Sequence, residues 1–420
     1  MSDSGKSASF FLRFWKRLGP GLITGASDDD PSGITTYTQA GAQFGFGTLW
    51  TALLTFPLMA AIQEMCARIG LVTRRGLTGT LKTYYPKPVL VIMVLFSAPA
   101  IVMNIGADIA GMGAVGNLLF PEIKAGFFSV GFTLMLILAM VYLPYRQIAT
   151  VLKYLCLTLL VYLAVPFFTR PDALAVLQNT FIPHWQFTPQ YINMLVAVLG
   201  TTISPYLFFW QTNMEVEELE HNPTIVVDKR LLQSVRSDVD SGMLFSIVVM
   251  YFITLTAGSV LYQGGGASIE TVEQAARALE PVAGRSAYLL FAIGVIGTGL
   301  LAIPVLSGSL SYIVCELFDW REGLDNQFHE ARPFYAVMAI SMILGLSMES
   351  LGLSPVKALI YAAVLYGVTA PVLIAIVLHI ANNKRIMGAY TNGRWSNAMG
   401  VATLVLMTLS ALALLYFQFH

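Results

Sequence analysis

The chain has 420 residues, of which 56% are hydrophobic and only 11% are charged. Soluble domains carry about 25% charged residues, so a water-soluble protein of this length could not cover its surface with so few charges. The 24 basic and 24 acidic side chains give zero net charge, which says nothing about partners, because the distribution of charge matters more than its sum. The composition excludes a soluble enzyme, a nucleic-acid binder and a disordered scaffold. It predicts a membrane protein whose main surroundings are the lipid bilayer.

Eleven apolar runs are long enough to cross a bilayer as helices, because a helix needs about 20 residues to span the hydrocarbon core. The runs are continuous and do not alternate with polar residues, which excludes a strand barrel. We therefore predict an all-α polytopic membrane protein. The predicted spans lie near residues 19–45, 48–70, 88–118, 124–144, 147–168, 190–218, 240–262, 286–317, 333–350, 354–381 and 398–418.

The basic residues predict the orientation, because cytoplasmic loops carry an excess of lysine and arginine. With the N-terminus inside, nineteen of the 24 fall on the cytoplasmic side and five on the outer side. We expect a multi-pass protein of the cell membrane with a cytoplasmic N-terminus and an outer C-terminus. Its predicted parts are a cytoplasmic segment 1–18, a core 19–390 with halves 19–168 and 190–381, and an eleventh helix with the outer C-terminus at 398–420.

Patterns typical of an enzyme or an ATP-driven pump are missing from the sequence. It has no nucleophile motif, no zinc-binding spacing and no phosphate-binding glycine loop. Its three cysteines are far apart and lie in apolar stretches. We therefore expect neither catalysis nor a bound cofactor, and nothing in the sequence calls for an obligatory protein partner.

The first span contains a stretch that a lipid-facing helix would avoid. Three carboxylates, a proline and a glycine interrupt the apolar run: Ser27-Asp28-Asp29-Asp30-Pro31-Ser32-Gly33. Each acid at the bilayer centre costs about 2.5–3.5 kcal/mol. Pro31 removes a backbone donor and disfavours helix at Asp30. Non-helical backbone at this depth is tolerated only where it is buried or lines a wet cavity, so the first span is predicted to be a broken helix.

A second interruption lies in the sixth span. Here too a proline follows small polar residues within an apolar helix: Gly200-Thr201-Thr202-Ile203-Ser204-Pro205-Tyr206. Interrupted segments at matching places in two halves indicate a transporter built from inverted repeats. Because the breaks lie five spans apart, the second half must insert upside down relative to the first.

The two breaks are expected to meet near the membrane midplane. Helix ends with partial negative charge face the same cavity there, and Asp30 adds a full negative charge. Either proline alone could simply kink its helix, and Asp28 and Asp29 could face an aqueous vestibule. The two breaks together favour a cation-binding site.

The candidate metal ligands are all oxygen atoms. They are the side chains of Asp30, Thr201 and Ser204 and the backbone carbonyls of Ser27 and Gly33. Oxygen ligands suit hard ions such as Mg²⁺, Ca²⁺ and Mn²⁺ and offer nothing special to softer metals. A wide site with one firm carboxylate favours a partly hydrated Mg²⁺, and Na⁺ would also accept such ligands.

At these residues the sequence resembles the NRAMP family of divalent-metal transporters. Members carry Asp-Pro-Gly-Asn in the first span and Met-Pro-His in the sixth, where this chain has Asp30-Pro31-Ser32-Gly33 and Ser204-Pro205-Tyr206. The resemblance extends over about residues 17–390. It implies the LeuT-like fold, with two inverted five-helix repeats, broken helices one and six, and a trailing eleventh helix.

The departures from the family pattern bear on the metal. The family's aspartate is kept as Asp30, but its asparagine falls on Gly33, its methionine on Ser204 and its carbonyl-donating alanine on Thr201. The missing thioether resembles a branch of NRAMP-related magnesium transporters. We therefore expect import of Mg²⁺ first and Mn²⁺ next, with the metal as cargo.

Two further departures bear on proton coupling. The family pattern Asp-Leu-Ala-Glu in the third span reads Asp108-Ile109-Ala110-Gly111 here, so the glutamate is gone. The family's histidine after the sixth-span proline is Tyr206, which does not titrate near neutral pH. We expect uptake without tight proton coupling, and Asp108 could either carry a proton or be a hydrogen-bonded buried acid.

Three other functions remain open at this stage. One is a proton-coupled Mn²⁺ or Fe²⁺ transporter of the usual NRAMP type. Another is a symporter of the same fold that carries an organic solute, such as an amino acid. The third is a passive channel, which would show single-channel currents rather than saturable uptake.

Overall fold

The structure is a computed structural model that describes residues 20–143, 157–221, 224–262, 268–324, 326–352 and 354–419. Regular structure in these ranges is helical throughout, which confirms the all-α prediction. The predicted cytoplasmic segment 1–18 and part of the predicted fifth span 147–168 lie outside the described residues. The division into a core and an eleventh helix stays a prediction.

Fourteen principal helices follow one another along the described chain. They are α1 (Pro20–Asp28), α2 (Pro31–Phe44), α3 (Trp50–Thr73), α4 (Leu77–Tyr84), α5 (Lys87–Leu119), α6 (Ala125–Tyr142), α7 (Ala173–Phe181), α8 (Pro189–Thr202), α9 (Tyr206–His221), α10 (Lys229–Val260), α11 (Ala287–Phe318), α12 (Arg332–Ser347), α13 (Pro355–Asn382) and α14 (Arg394–Phe419). Short α-helical turns lie at Val165–Thr169, Val272–Ala276, Glu280–Ala283 and Lys384–Met387, and 3₁₀ turns at Leu157–Leu163, Arg277–Leu279, Gly284–Ser286, Met348–Leu351 and Gly388–Tyr390.

Eight helical segments of the described chain are long and apolar enough to cross a membrane. They include α8 and α9 counted together as Pro189–His221, and each coincides with a predicted span. The other three predicted spans correspond to the broken pair α1 and α2, to the shorter apolar segment Thr158–Thr169 and to Arg332–Ser347. The total of eleven stays a prediction for those three.

One boundary differs clearly from the sequence expectation. Helix α10 begins at Lys229, whereas the apolar run predicted a span that starts near residue 240. The Asp228 side chain accepts a hydrogen bond from the Leu231 amide and so caps the helix N-terminus. Hydropathy marks only the part of a helix that lies in lipid, so it misses a polar first portion that is stabilised by its own cap.

The outer surface of the bundle suits lipid. Large apolar side chains are exposed on several spans, among them Leu95 at 64%, Phe127 at 72% and Leu134 at 55%. A soluble monomer rarely exposes contiguous apolar surface on this scale. The exposed apolar residues agree with a position inside a bilayer.

The first break is produced by local chemistry at one residue. Helix α1 ends at Asp28, and α2 begins at Pro31 with Asp30 as its N-cap. Asp30 has extended backbone angles, φ −69° and ψ 173°, as expected for a residue that precedes proline. Pro31 occupies the first helical position, where its missing N–H costs nothing.

The second break separates α8 from α9. Helix α8 ends at Thr202, Ile203 is its C-cap with φ −109° and ψ 59°, and α9 begins at Tyr206. Pro205 cannot supply the amide that would continue the α8 hydrogen-bond ladder. Both breaks therefore lie where the sequence predicted them.

Close glycine crossings hold the half-helices against other helices. A Cβ atom at Gly25 of α1 would collide with the backbone of Gly242 on α10, and one at Gly200 of α8 would collide with the backbone of Gly367 on α13. Only glycine permits backbones to approach so closely. Each half-helix that leads into a break is thus fixed by a backbone-to-backbone contact.

Candidate cation-binding site

Three acids of the first break lie inside the protein. Asp28 and Asp29 are 0% exposed and Asp30 is 2% exposed. Among the ion pairs of the described residues, none involves these three side chains. The possibility that Asp28 and Asp29 face an aqueous vestibule is not what this conformation shows. Buried charge without a basic partner is costly, which makes the region attractive to cations.

The Asp30 carboxylate is held by one bond to each oxygen. Its Oδ1 accepts the Gly33 backbone N–H at 2.7 Å, and its Oδ2 accepts the Asn104 side-chain N–H at 2.8 Å. The first bond is the N-cap of α2, and the second comes from α5. Each carboxylate oxygen has a further lone pair, so the group is oriented and can still bind a cation.

Gly33 brings the two breaks together. A Cβ atom placed on Gly33 would lie 3.3 Å from the carbonyl oxygen of Asp28 and 3.4 Å from the Thr201 hydroxyl. The first turn of α2, the end of α1 and the end of α8 therefore meet at this residue. Because Gly33 has no side chain, there is room beside the Thr201 hydroxyl, as expected of a wide site.

Ser204 and Ser27 have partners in this conformation. The Ser204 hydroxyl donates to the Thr201 carbonyl at 2.6 Å and caps the end of α8. The Ser27 carbonyl accepts the Tyr206 hydroxyl at 2.8 Å, which ties the end of α1 to the start of α9. A hydroxyl and a carbonyl each keep a lone pair after one such bond, so both can still act as ligands.

A serine on α10 accompanies the other two acids of the first break. The Ser246 hydroxyl lies 2.8 Å from Asp28 Oδ2 and 3.4 Å from Asp29 Oδ1. Asp28 Oδ1 and Asp29 Oδ2 have no hydrogen-bond partner among the described residues. The sequence analysis missed Ser246, because a single serine in an apolar helix carries no local signal.

A fourth buried acid lies next to the first break. Asp108 on α5 is 0% exposed, and its carboxyl group lies near the backbone N–H of Ser32. It is close enough to Asp30 for the two carboxylates to repel each other. Both roles expected for Asp108, that of a proton carrier and that of a hydrogen-bonded buried acid, stay predictions.

Asn104 was not predicted as a site residue, although the sequence contains a pattern that indicates it. It precedes Asp108 by one helical turn, so both polar side chains lie on the same face of an otherwise apolar span. The buried side chain of Tyr366 on α13 lies beside Asn104. Reading polar residues four apart in an apolar helix would have found Asn104.

The donor set fits a cation that keeps part of its hydration shell. No group of three or more His, Cys, Asp or Glu side chains in the described chain is arranged to hold a metal ion. A metal here would depend on Asp30 together with hydroxyl and carbonyl oxygens and water. Mg²⁺ dehydrates reluctantly and is usually bound by one or two carboxylates plus several waters.

A second acidic cluster lies near the end of α9. The Glu217 carboxylate accepts the Tyr312 hydroxyl and, at 2.8 Å, the Leu324 amide. Burial, together with the neighbouring Glu316, Glu217 and Glu220, raises the pKa of Glu322 to about 10. This end of the molecule is predicted to be cytoplasmic, and the cluster extends the acidic character of the interior towards it.

Comparison with known proteins identifies the family. The Nramp family profile, described as natural resistance-associated macrophage protein-like, matches residues 21–417. The divalent metal cation transporter MntH of Staphylococcus haemolyticus is 25% identical over 428 residues, covering 97% of this chain and 92% of that protein. These relatives are transporters and not enzymes.

Solved structures show the same fold. The manganese transporter of Eremococcus coleocola superimposes with a TM-score of 0.74 at 19% sequence identity, covering 95% of this chain and 86% of that one. MhsT in complex with L-phenylalanine gives a TM-score of 0.62 at 14% identity, covering 95% and 98%. The similarity confirms the predicted LeuT-like fold. The chain is a member of the Nramp family.

Proposed function

We propose that this chain is a secondary transporter that imports hard divalent cations by alternating access, with Mg²⁺ as its first substrate and Mn²⁺ as its second. One observation carries the proposal. The two breaks bring the Asp30 carboxylate, the Gly33 backbone and the Thr201 hydroxyl together inside the molecule. Discontinuous helices that meet in this way form the substrate sites of secondary transporters.

The family supports the broader part of the proposal. The chain resembles, over almost its whole length, a protein named as a divalent metal cation transporter and a structure named as a manganese transporter. The buried, unpaired acids supply the negative charge that a divalent cation needs. We also infer a location in the cell membrane with a cytoplasmic N-terminus, on the strength of the uneven distribution of basic residues.

The preference for Mg²⁺ rests on the ligand chemistry. Ser204 and Gly33 stand where the resemblance places the family's methionine and asparagine, so the thioether that would favour softer metals is missing from the break. The thioether of Met250 lies nearby, where its sulfur accepts the Thr202 hydroxyl at 3.7 Å.

Uptake without tight proton coupling is the second part of the proposal. Tyr206 stands where the family has a histidine, and its hydroxyl is used in the bond to the Ser27 carbonyl. Gly111 stands where the family has a glutamate. Membrane voltage suffices as a driving force, since two charges across 100 mV are worth about 4.6 kcal/mol. That energy corresponds to more than about a thousandfold accumulation.

A proton-coupled Mn²⁺ or Fe²⁺ transporter is the alternative that one observation favours. Asp108 is fully buried and lies close to the Asp30 carboxylate. A carboxylate in this position can be relieved of its charge by a proton. An amino-acid symporter receives less support, because a substrate carboxylate would meet four buried acids.

Uptake into proteoliposomes tests the proposal directly. The purified chain is offered Mg²⁺, Mn²⁺, Ca²⁺, Fe²⁺ and Zn²⁺, with a pH-sensitive dye inside the vesicles and a fixed membrane voltage. We expect saturable uptake of Mg²⁺ first and Mn²⁺ next, without matching internal acidification. Asp172→Asn serves as a control, because Asp172 is an exposed N-cap far from the breaks in sequence.

The results separate the alternatives. Preference for Fe²⁺ or Zn²⁺ over Mg²⁺ would overturn the hard-cation assignment. Acidification in proportion to Mg²⁺ entry would overturn the uncoupled mechanism and support a proton carrier. Uptake that amino acids block and Mg²⁺ does not would support the organic-solute symporter.

A further inference from the structure

A cleft on the surface of the helix bundle lies away from the breaks and has no role in the proposed transport cycle. It has a volume of about 160 Å³. It opens where α3 packs between α10 and α14. Its lining includes Phe56, Ala61, Glu64, Arg236, Asp240 and Trp395.

One end of the cleft is charged. Arg236 and Asp240 on α10 form a loose pair with an N–O distance of 3.7 Å, and their side chains are 54% and 43% exposed. Glu64 on α3 lies opposite and is bound by Arg68 at 2.8 Å. Arg68 also donates to the Tyr390 carbonyl at 2.6 Å, so its guanidinium is already occupied.

The other end of the cleft is apolar. Phe56 and Glu64 are eight positions apart on α3, which places the apolar wall about 12 Å along the helix from the charged end. Pro57, Ala60 and Ala61 have small side chains, so the helix surface is recessed here. Trp395 is 66% exposed at the rim, as tryptophans at the membrane–water boundary are.

We propose that this cleft binds one phospholipid whose headgroup carries a primary ammonium, namely phosphatidylethanolamine. Arg236 is the one cation in the lining of the cleft and takes the phosphate, because guanidinium groups match phosphate oxygens. Asp240 takes the ammonium, because both oxygens of Glu64 are already bound by Arg68. An acyl chain follows the recessed face of α3 towards Phe56.

Charge complementarity selects this headgroup over others. Arg236 and Asp240 are the two accessible charges at the polar end, so a purely anionic headgroup would meet as much repulsion as attraction. A choline headgroup offers no N–H donor to the carboxylates. The charged end of the cleft lies at helix ends that are predicted to be cytoplasmic from the distribution of basic residues. The bound lipid therefore comes from the cytoplasmic leaflet.

Occupancy of the cleft would bear on the helix that contacts the first break. Helix α10 carries Ser246, whose hydroxyl bonds Asp28, and Asp238, whose carboxylate accepts the Gly21 amide at 2.7 Å. A lipid held between α3, α10 and α14 would fix the position of α10 relative to its neighbours. The inference concerns lipid binding and does not depend on which cation is transported.

Native mass spectrometry tests the proposal. The full chain is released from bilayers that contain equal amounts of phosphatidylethanolamine, phosphatidylcholine and phosphatidylglycerol, and the lipids that stay bound are identified. We expect the full chain to retain one phosphatidylethanolamine molecule in preference to the other two lipids. Arg236→Gln should lower this retention about tenfold, because it removes a charge-assisted contact. Asp240→Asn should abolish the preference for phosphatidylethanolamine over phosphatidylcholine.

Two further variants keep the test decisive. Arg321→Gln is the matched control, since Arg321 forms a comparable exposed pair with Glu330 at 3.4 Å and does not line the cleft. Ala61→Trp fills the cleft without changing any charge and should also displace the lipid. Equal retention of all three lipids by the unaltered chain, equal retention by Arg236→Gln and Arg321→Gln, or a dimer of the chain joined at this face would overturn the proposal.

Discussion

The two broken helices resemble each other in construction and differ in charge. The first break ends α1 with Asp28 and starts α2 with a carboxylate cap. The second break ends α8 with Thr202 and uses only hydroxyl groups. Both precede a proline, and both half-helices cross another helix at a glycine. The backbone is thus interrupted in the same way at both breaks, but only the first break carries acidic side chains.

The difference shows how the two breaks divide their roles. At the second break the Ser204 hydroxyl satisfies the Thr201 carbonyl, so the end of α8 is neutral and partnered. At the first break the Asp30 carboxyl group is buried and is oriented by Gly33 and Asn104. The first break supplies attraction for a cation, and the second supplies shape and ligand type.

The largest effect is expected from removing the charge of the first break. Asp30→Asn keeps an N-cap side chain, because asparagine caps helices as well as aspartate. Uptake of Mg²⁺ into proteoliposomes should fall about 100-fold or more, since a charged ligand is lost. The thermal unfolding temperature in detergent should stay close to that of the unaltered chain.

The paired outcome makes this test specific. Because asparagine keeps the cap, a variant that unfolds early would show that the carboxylate itself is needed for folding. A variant that folds and transports normally would show that Asp30 does not bind the cation. The proposed difference in charge between the two breaks would then have no functional importance.

Overpacking at the two glycine crossings should destabilise the protein to a similar extent. Gly25→Ala and Gly200→Ala each place a Cβ atom against the backbone of Gly242 or Gly367, and overpacking of this kind costs about 1–3 kcal/mol. Both variants should lower the thermal unfolding temperature by similar amounts. Gly131→Ala is the matched control, because nothing lies within 4 Å of its Cβ position. A loss of stability at one glycine alone would show that the breaks are not equivalent in packing.

The sequence predicted the breaks because their causes are local. Acids and prolines inside an apolar run cannot continue a helix in lipid, so Asp30 and Pro205 mark both positions without any knowledge of the fold. The partners of the acids are not local. Asn104 lies 74 residues from Asp30, and Ser246 lies 218 residues from Asp28. Such contacts depend on how helices pack, which hydropathy does not encode.

The same distinction explains the error at the start of α10. The apolar run predicted a span that begins near residue 240, and the cap formed by Asp228 starts the helix at Lys229 instead. Membrane spans can be read from hydrophobicity, whereas helix ends depend on hydrogen bonds to individual side chains. A search for Asx caps upstream of each apolar run would have corrected this boundary.

A change of ligand type at the second break should alter selectivity more than total uptake. Ser204→Met adds a thioether, which favours Mn²⁺ over Mg²⁺ because sulfur binds the softer ion better. We expect the ratio of Mn²⁺ to Mg²⁺ uptake to rise about tenfold in a competition assay, equivalent to roughly 1.4 kcal/mol. Ser204→Leu provides the control of similar size without sulfur. An equal shift in both variants would mean that side-chain volume, and not ligand type, sets selectivity.

The smallest effect is expected where the first break meets α10. Ser246→Ala removes the donor to Asp28 and Asp29, and a hydrogen bond to a charged group in a buried place is worth about 1.5–3 kcal/mol at most. Since a water can replace the hydroxyl, we expect only about a threefold rise in the Mg²⁺ concentration for half-maximal uptake. Ser241→Ala is the control, because Ser241 lies on the same helix and donates only to the Ser237 carbonyl at 2.7 Å. If the two variants behave alike, the contacts of the Ser246 hydroxyl with Asp28 and Asp29 do not contribute to cation uptake.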